Sequence, residues 1–248
     1  MKTLLKFRCF WLWVIFGFLT LPLVAEGLAP ASSGEPEEEY AEEYAEPSVT
    51  TWDPLHTWNQ WMFQFNDKLY FWVLKPVARG YKALLPEKVR VCVRNFFNHW
   101  HVPIRFVNCC LQAQWKEAGM ELARFGINTT LGILGFFDPA KNRWHLEGKD
   151  EDLGQTFARY GLSNGPYLVL PFLGPSTLRD SVGLVGDWFL SPFFYLSHEW
   201  PIAVKTAEVT NDTSLHLGDY EALKKAAIDP YDSFKDVYYQ YREEKIKK

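Results

Sequence analysis

The 248-residue sequence is poor in cysteine, lacks an excess of basic charge, and has no apolar run long enough for a comfortable bilayer span. Only four cysteines occur. Cys9 lies in a leader, so Cys92, Cys109 and Cys110 remain, enough for one disulfide in an oxidising compartment. With 26 basic against 30 acidic residues the net charge is -4, which speaks against a nucleic-acid surface and a nucleic-acid partner. No G-x-S-x-G elbow appears, because Gly174-Pro175-Ser176-Thr177-Leu178 lacks the closing glycine. There is no Walker loop and no G-x-G-x-x-G, so no nucleotide cofactor is expected. His99-Trp100-His101 has no carboxylate or cysteine at ligand spacing, and no metal is expected there. Glu151-Asp152 and Arg179-Asp180 read as helix-start charges or an ion pair rather than acid–base catalysts. No catalytic residue is assigned, and the chain is not expected to be an enzyme. Strand alternation persists nowhere, no repeat is visible, and no linker divides 53–240.

Apolar residues are plentiful, at 48%, which excludes a disordered chain. Aromatics reach 17%, with 11 Trp, 12 Tyr and 19 Phe. Such rings suit a membrane interface, and a large core would also absorb them. Lys2, Lys6 and Arg8 precede an apolar stretch over 10–20, the pattern of a secretory signal peptide. Cleavage is expected after Ala25 or after Ala31; the alternative is an uncleaved anchor. Cys9 precedes the apolar run, so it is not placed for lipid attachment, and export without lipidation is expected. Residues 32–50 carry seven glutamates between Glu35 and Glu46 and read as a disordered acidic tether. Leaving out 1–31 and those seven, 23 basic residues face 22 acidic ones, so the folded part over 51–248 is nearly neutral.

That part reads as helices broken by proline. Asp53-Pro54 has the form of an N-cap with proline at the first helical position. Leu55, Trp58, Trp61, Met62, Phe65, Leu69 and Trp72 then recur at helical spacing, opposite the uncharged polar Asn59, Gln60, Gln64 and Asn66. That combination fits a helix at a lipid boundary, one lining a damp cavity, or one packed on both sides. Lys75-Pro76 ends it. Pro86 opens another, with Val89, Val93, Phe96 and Phe97 inward. Pro103 marks a turn, and helices continue to about residue 129. An apolar, glycine-bearing loop follows over 131–137, then a polar loop over 138–150 and a short helix over 151–160. Residues 165–175 are apolar, bracketed by Gly-Pro and split by Pro171. They are too short to span a bilayer and too proline-rich for a central strand; an interfacial loop and a buried crossing segment remain open. Helices follow over 176–190, with Gly183 and Gly186 for close approach, and over 201–215 and 217–227. Asp229-Pro230 opens the last, carried by Phe234, Val237, Tyr238 and Tyr241. An antiparallel hairpin about Pro103 would bring Cys92 level with Cys109 or Cys110, and a disulfide between them is expected.

The motifs resemble the MlaA/VacJ proteins of Gram-negative outer membranes. The resemblance runs, in family order, through Asp53-Pro54-Leu55, Phe63-Gln64-Phe65-Asn66-Asp67, Lys75-Pro76-Val77-Ala78 and Val93-Arg94-Asn95-Phe96-Phe97. It continues through Arg124-Phe125-Gly126-Ile127-Asn128-Thr129-Thr130-Leu131-Gly132 and Glu151-Asp152-Leu153-Gly154-Gln155-Thr156. Gly165 to Pro171, Gly174-Pro175-Ser176, Arg179-Asp180 and Asp229-Pro230-Tyr231 complete it, covering about 190 of the 248 residues.

The resemblance implies an all-α fold, a ring-like bundle of amphipathic helices lying in one leaflet of the outer membrane. It also implies an amphipathic channel through which mislocalised outer-leaflet phospholipid descends to a periplasmic carrier of MlaC type, in association with a porin trimer. Trp58, Trp61, Phe65 and Asn66, with Gly132, Gly135 and Phe136, are expected to contact or gate lipid. Tyr167, Leu168, Leu170 and Phe172 are expected at the membrane surface. Two other readings stand beside it: a porin-docked structural protein that carries no lipid, and a lipase, which the missing nucleophile motif opposes. Two features depart from the family pattern: the absence of a lipid-bearing cysteine, and the acidic stretch 35–46.

Overall fold

The structure is a computed structural model that describes residues 53–197 and 200–247. The expected signal peptide and tether lie outside the described residues. Helices α1 (His56–Leu69), α2 (Lys75–Leu84), α3 (Glu87–Trp100), α4 (Val102–Leu111), α5 (Trp115–Thr130), α6 (Pro139–Trp144) and α7 (Leu153–Arg159) come first. A hairpin, β1 (Tyr167–Leu170) and β2 (Gly174–Thr177), interrupts them. Helices α8 (Leu178–Leu190), α9 (Trp200–Leu215), α10 (Asp219–Ala226) and α11 (Pro230–Lys247) complete the described chain. The fold is helical apart from this one small sheet among the described residues.

Three boundaries differ from the sequence expectation, each for a local reason. Asp53 does not cap α1; the cap position is Leu55, with no side-chain bond. The Asp53 carboxylate instead accepts from Asn59 Nδ2 at 2.8 Å and from the Tyr231 hydroxyl, tying the first helix to the last. Lys75-Pro76 does not end the helix. A π-helical turn, Tyr70–Leu74, carries α1 into α2 with Pro76 in the first turn of α2. A widened turn relieves the ring's clash with the preceding carbonyls. Residues 138–150 are not all loop either. Asp138 accepts from Lys141 N at 3.1 Å and Pro139 opens α6, the same Asp-Pro start that marks α11.

The largest departure from the sequence pattern is a β-hairpin, where no strand alternation is visible. In the hairpin Tyr167 pairs with Thr177 and Leu170 with Gly174, antiparallel, while Pro171 lies in the turn, where it costs no ladder bond. Two strands alone are marginal in water. Here α1 supplies what a third strand would. Asn59 donates to Tyr167 O at 3.0 Å and accepts from Val169 N at 2.8 Å. Asn66, seven residues on and so on the same helix face, donates to Leu170 O at 2.9 Å and accepts from Phe172 N at 2.8 Å. Each amide thus satisfies one carbonyl and one N–H of the open strand edge.

This pairing corrects one surface assignment. Tyr167 is 1% exposed and packs with Val169 and Tyr231 against Met62, Phe63, Tyr238 and Tyr239. Alternation along β1 turns Tyr167 and Val169 inward and leaves Leu168 and Leu170 half-buried on the other side. Phe172, at the turn, is exposed. The expected inward face of α3 is only partly so. Phe97 is buried but Val89 is exposed, and on α11 Tyr238 reaches the core while Val237 and Tyr241 do not.

The expected disulfide is not formed; Cys92, Cys109 and Cys110 are all free. Helix α4 packs along α5 rather than back along α3, so the hairpin that would level the cysteines does not exist. Cys109 is fully buried, and burial, with Glu151 and Glu121 nearby, pushes its thiol up to about 12. The close-approach glycines do fit. A Cβ on Gly183 would fall within 3 Å of the Gly154 backbone, and one on Gly186 would strike the Leu153 side chain. Helices α7 and α8 therefore cross at near backbone contact.

If Asn59 replaces a strand, Asn59→Ala leaves Tyr167 O and Val169 N unpaired in a closed core. Loss of about 2–4 kcal/mol is expected by denaturant unfolding in detergent. Asn66→Ala, at a wetter site, is expected to lose about 1 kcal/mol. Equal losses at both positions would refute the burial-dependent account.

Candidate functional site

The distribution of polarity sets the site. Among the described residues, nine hydrophobic side chains are buried against 24 polar or charged ones. Large apolar side chains lie outside instead, with Trp61, Trp72, Leu84, Trp188 and Trp200 each more than half exposed. Water-soluble domains bury the opposite set. No helix among the described residues is long and apolar enough to cross a membrane. The apolar exterior is therefore assembled from the sides of many short helices.

Inside, polar groups are paired in chains. Gln112 Nε2 donates to Glu151 Oε2 at 2.9 Å and to Thr156 Oγ1 at 3.0 Å. Thr156 donates to Asn108 Oδ1 at 2.9 Å, and Asn108 Nδ2 donates to Asp187 Oδ1 at 2.9 Å. A second node joins α7, α8 and α11. Arg242 NH2 donates to Asp152 at 3.0 Å and to Asp180 at 2.9 Å, while Tyr238 donates to Asp180 at 2.6 Å. Burial alone would raise both aspartates, but the hydrogen bonds and charge around Arg242 hold them below the usual carboxylate range. The Glu151-Asp152 and Arg179-Asp180 pairs are thus helix caps and ion pairs, as their spacing predicts.

Between α3, α5 and α6 lies an open polar cavity of about 600 Å³. Arg94, Asn98, Arg105, Arg124, Lys141 and Glu147 are among its lining residues. Arg105 pairs with Glu121 at 3.0 Å and Arg124 with Asp138 at 2.9 Å. Asn142 is shared with a neighbouring cavity of about 640 Å³, lined also by Val91, Cys92 and Phe137. A polar space therefore opens toward a more apolar one.

The residues expected to meet lipid fall into two groups. Trp58, Trp61 and Phe65 form an exposed stripe along α1. Phe65 meets the turn residue Phe172 edge-on at 5.3 Å. Asn66 lies beside them but holds the hairpin backbone, so its amide is occupied. The loop over 131–137 sits elsewhere, on α3. Phe136 stacks on Phe96 at 4.9 Å, and Gly135 lies against the His99 ring. Ile133, Leu134 and Gly135 all have positive φ, at 51°, 55° and 89°. For branched side chains that is a strained conformation, yet Ile133 and Leu134 are exposed. Sequence reasoning missed Arg94, Lys141 and the cavity. Their signal was weak, because isolated basic residues on helices are ordinary surface features.

The MlaA lipoprotein family model matches residues 51–245, almost the whole described region. The chain belongs to the MlaA family. An uncharacterized protein of Rickettsia felis is 32% identical over 80% of this chain and 79% of its own. Escherichia coli has a relative 32% identical over 76% of each chain, named the intermembrane phospholipid transport system lipoprotein MlaA. A solved structure described as "Structural basis for maintenance of bacterial outer membrane lipid asymmetry" superposes with a TM-score of 0.70 at 29% identity. It covers 79% of this chain and 99% of that one. The family's helical, ring-like fold is the fold seen here, with both groups of expected lipid contacts and the cavity inside the matched region.

Asp187 behaves oppositely to Asp152 and Asp180. Burial pushes it up to about 6, against 3.8 for an ordinary aspartate, although Leu153 N and Asn108 both donate to it. Between those values the folded chain holds a proton that the unfolded chain has lost. The stabilising contribution is therefore full below about 3.8 and disappears as pH rises through about 6. Relative to the Asp187→Asn variant, the unfolding free energy of the wild type in detergent is expected to fall by about 1–3 kcal/mol from pH 4 to 6.5. Asp187→Asn should remove that slope; parallel pH profiles for both proteins would sink the assignment.

Proposed function

We propose that this chain carries phospholipid at the outer membrane, removing mislocalised outer-leaflet lipid to preserve lipid asymmetry. The observation that carries the reading is the inverted burial, 24 polar against nine hydrophobic buried residues, around an open charged cavity. Its solvent on the outside is acyl chain. Its interior is wet and charged, as a headgroup requires. Each methylene of an acyl chain gains about 0.8 kcal/mol from staying in hydrocarbon. A headgroup dragged through that hydrocarbon loses far more. A lateral route with an apolar face and a polar interior lets both ends of the lipid keep their preferred surroundings.

In this reading the helical domain sits in the periplasm-facing leaflet, docked on a porin trimer, and delivers lipid to a soluble carrier of MlaC type. The stripe Trp58, Trp61, Phe65 and the hairpin tip at Leu170 and Phe172 meet lipid chains. The loop of Gly132, Gly135 and Phe136 reaches the cavities through Phe137 and through the Phe136 carbonyl on Asn95, and gates them. Cys9 precedes the apolar run of the leader, so retention rests on the apolar surface and the porin rather than on an attached lipid. A porin-docking protein without lipid would need the apolar surface but not the charged cavity, which favours lipid passage.

In a Gram-negative strain lacking its own MlaA-family protein, this chain is expected to return outer-leaflet phospholipid to the normal level, measured by surface labelling of amino lipids. Stable expression with unchanged labelling, and porin recovered without lipid, would replace lipid passage by docking alone. The apolar stripe has its own readout. Trp61→Asp is expected to weaken flotation of the purified chain with phospholipid vesicles by about tenfold or more, since burying one such ring contributes about 1.5–3 kcal/mol. Unchanged flotation would remove α1 from the lipid-facing surface.

A further inference from the structure

The charges of the polar cavity do not cancel internally. Arg105 and Arg124 are committed to Glu121 and Asp138, and Asp150 to Lys245. Arg94 on α3, Lys141 on α6 and Glu147 on the segment after α6 line the same cavity. Among the described residues these three have no ion-pair or side-chain hydrogen-bond partner, and they come from three separate elements. Half-buried Arg94 faces an open volume of about 600 Å³, too large for a single ion and large enough for a lipid headgroup. Lys141 and Glu147 also line an adjoining cavity of about 600 Å³, so both signs of charge border each of the two spaces.

Two cations and one carboxylate around a cavity match a ligand that carries both signs. An arginine and a lysine are suited to the oxygens of a phosphate diester. A carboxylate beside them is redundant for a lipid with an uncharged glycerol head, and complementary to one ending in an ammonium. We propose that Arg94, Lys141 and Glu147 form a headgroup station for a zwitterionic phospholipid, the two cations taking the phosphate and Glu147 the ammonium. The station rests on the lipid-passage reading and adds to it a preference among lipids. Glu147 is exposed, and one extra exposed ion pair is worth little, so the preference is modest, about twofold to fivefold.

The test loads the purified full chain in mixed micelles with equal amounts of phosphatidylethanolamine and phosphatidylglycerol, and lipid mass spectrometry counts what is retained. Wild type is expected to hold phosphatidylethanolamine about twofold to fivefold above phosphatidylglycerol. Glu147→Gln is expected to bring that ratio to one by lowering the retained phosphatidylethanolamine, while Arg94→Gln with Lys141→Gln lowers the retained amount of both lipids. Far-UV circular dichroism confirms that each variant is folded. Retained lipid at a ratio of one in wild type, or a ratio unmoved by Glu147→Gln, overturns the station and leaves lipid passage standing. No retained lipid in wild type overturns both. Inorganic phosphate at millimolar concentration is expected to leave the load intact; displacement by it would make this a free-phosphate site and overturn the headgroup assignment.

Discussion

Arg242 grips two carboxylates, Asp152 and Asp180, that arrive from two different helices. In water such a cluster would add little. Beneath an apolar surface it is obligatory, because each charge alone would face a desolvation cost of several kcal/mol. The same demand recurs at Arg105 with Glu121 and at Arg124 with Asp138. Helices here are held to one another by paired charge and shared amides more than by interlocking leucines. A small true core does exist, around Tyr167, Val169 and Tyr231, and the hydroxyl of Tyr231 is itself bonded to Asp53. Breaking one partner of such a network costs more than deleting the pair, so the interior resists piecemeal change.

Where most buried charges are paired, unpaired ones beside a cavity gain meaning. Arg94, Lys141 and Glu147 stand around a cavity whose other charges are matched. Beside it lies a loop whose Ile133 and Leu134 hold positive φ while exposing their side chains. Strain of this kind persists only where neighbours over-determine it. Here the neighbours are visible. Gly135 lies against the His99 ring, and His99 stacks on Phe125 at 4.8 Å. No side chain with a Cβ fits at Gly135. The loop is thus clamped at its base and apolar at its tip, a suitable edge for a space that passes from polar to apolar.

The sequence disclosed the helices well and the hairpin not at all. Helical spacing and Asp-Pro starts are local signals, so α11 is legible from Asp229-Pro230, and α6 carries the same signal at Asp138-Pro139 within a stretch whose polarity reads as loop. The hairpin is not local. Its strands have four residues each, and its third edge is two asparagines about a hundred positions earlier. Asn59 and Asn66 were visible as uncharged residues on an aromatic helix; that they face a strand was not. The disulfide failed for a related reason. Spacing across Pro103 suggested a hairpin of helices, and only tertiary packing of α4 on α5 decides otherwise. The exposed stripe Trp58, Trp61 and Phe65 followed from periodicity alone, but periodicity cannot say whether an apolar stripe faces core or lipid.

What decides that question is the partner of the polar face, not the apolar one. On α1 the polar side is spent on the hairpin backbone through Asn59 and Asn66, so it is the inward side. The aromatic side is then left outward by elimination, and its exposure follows from bonding rather than from hydropathy. The same logic runs through α8, where Arg179, Asp180 and Asp187 face inward while Val182, Val185, Trp188 and Phe189 face out. Two helices far apart in sequence are thus inverted by the same rule. A fold with its hydrogen-bonding groups committed to one another inside has no stable alternative that turns its aromatics inward, because that would break those pairs and leave charges buried against apolar rings.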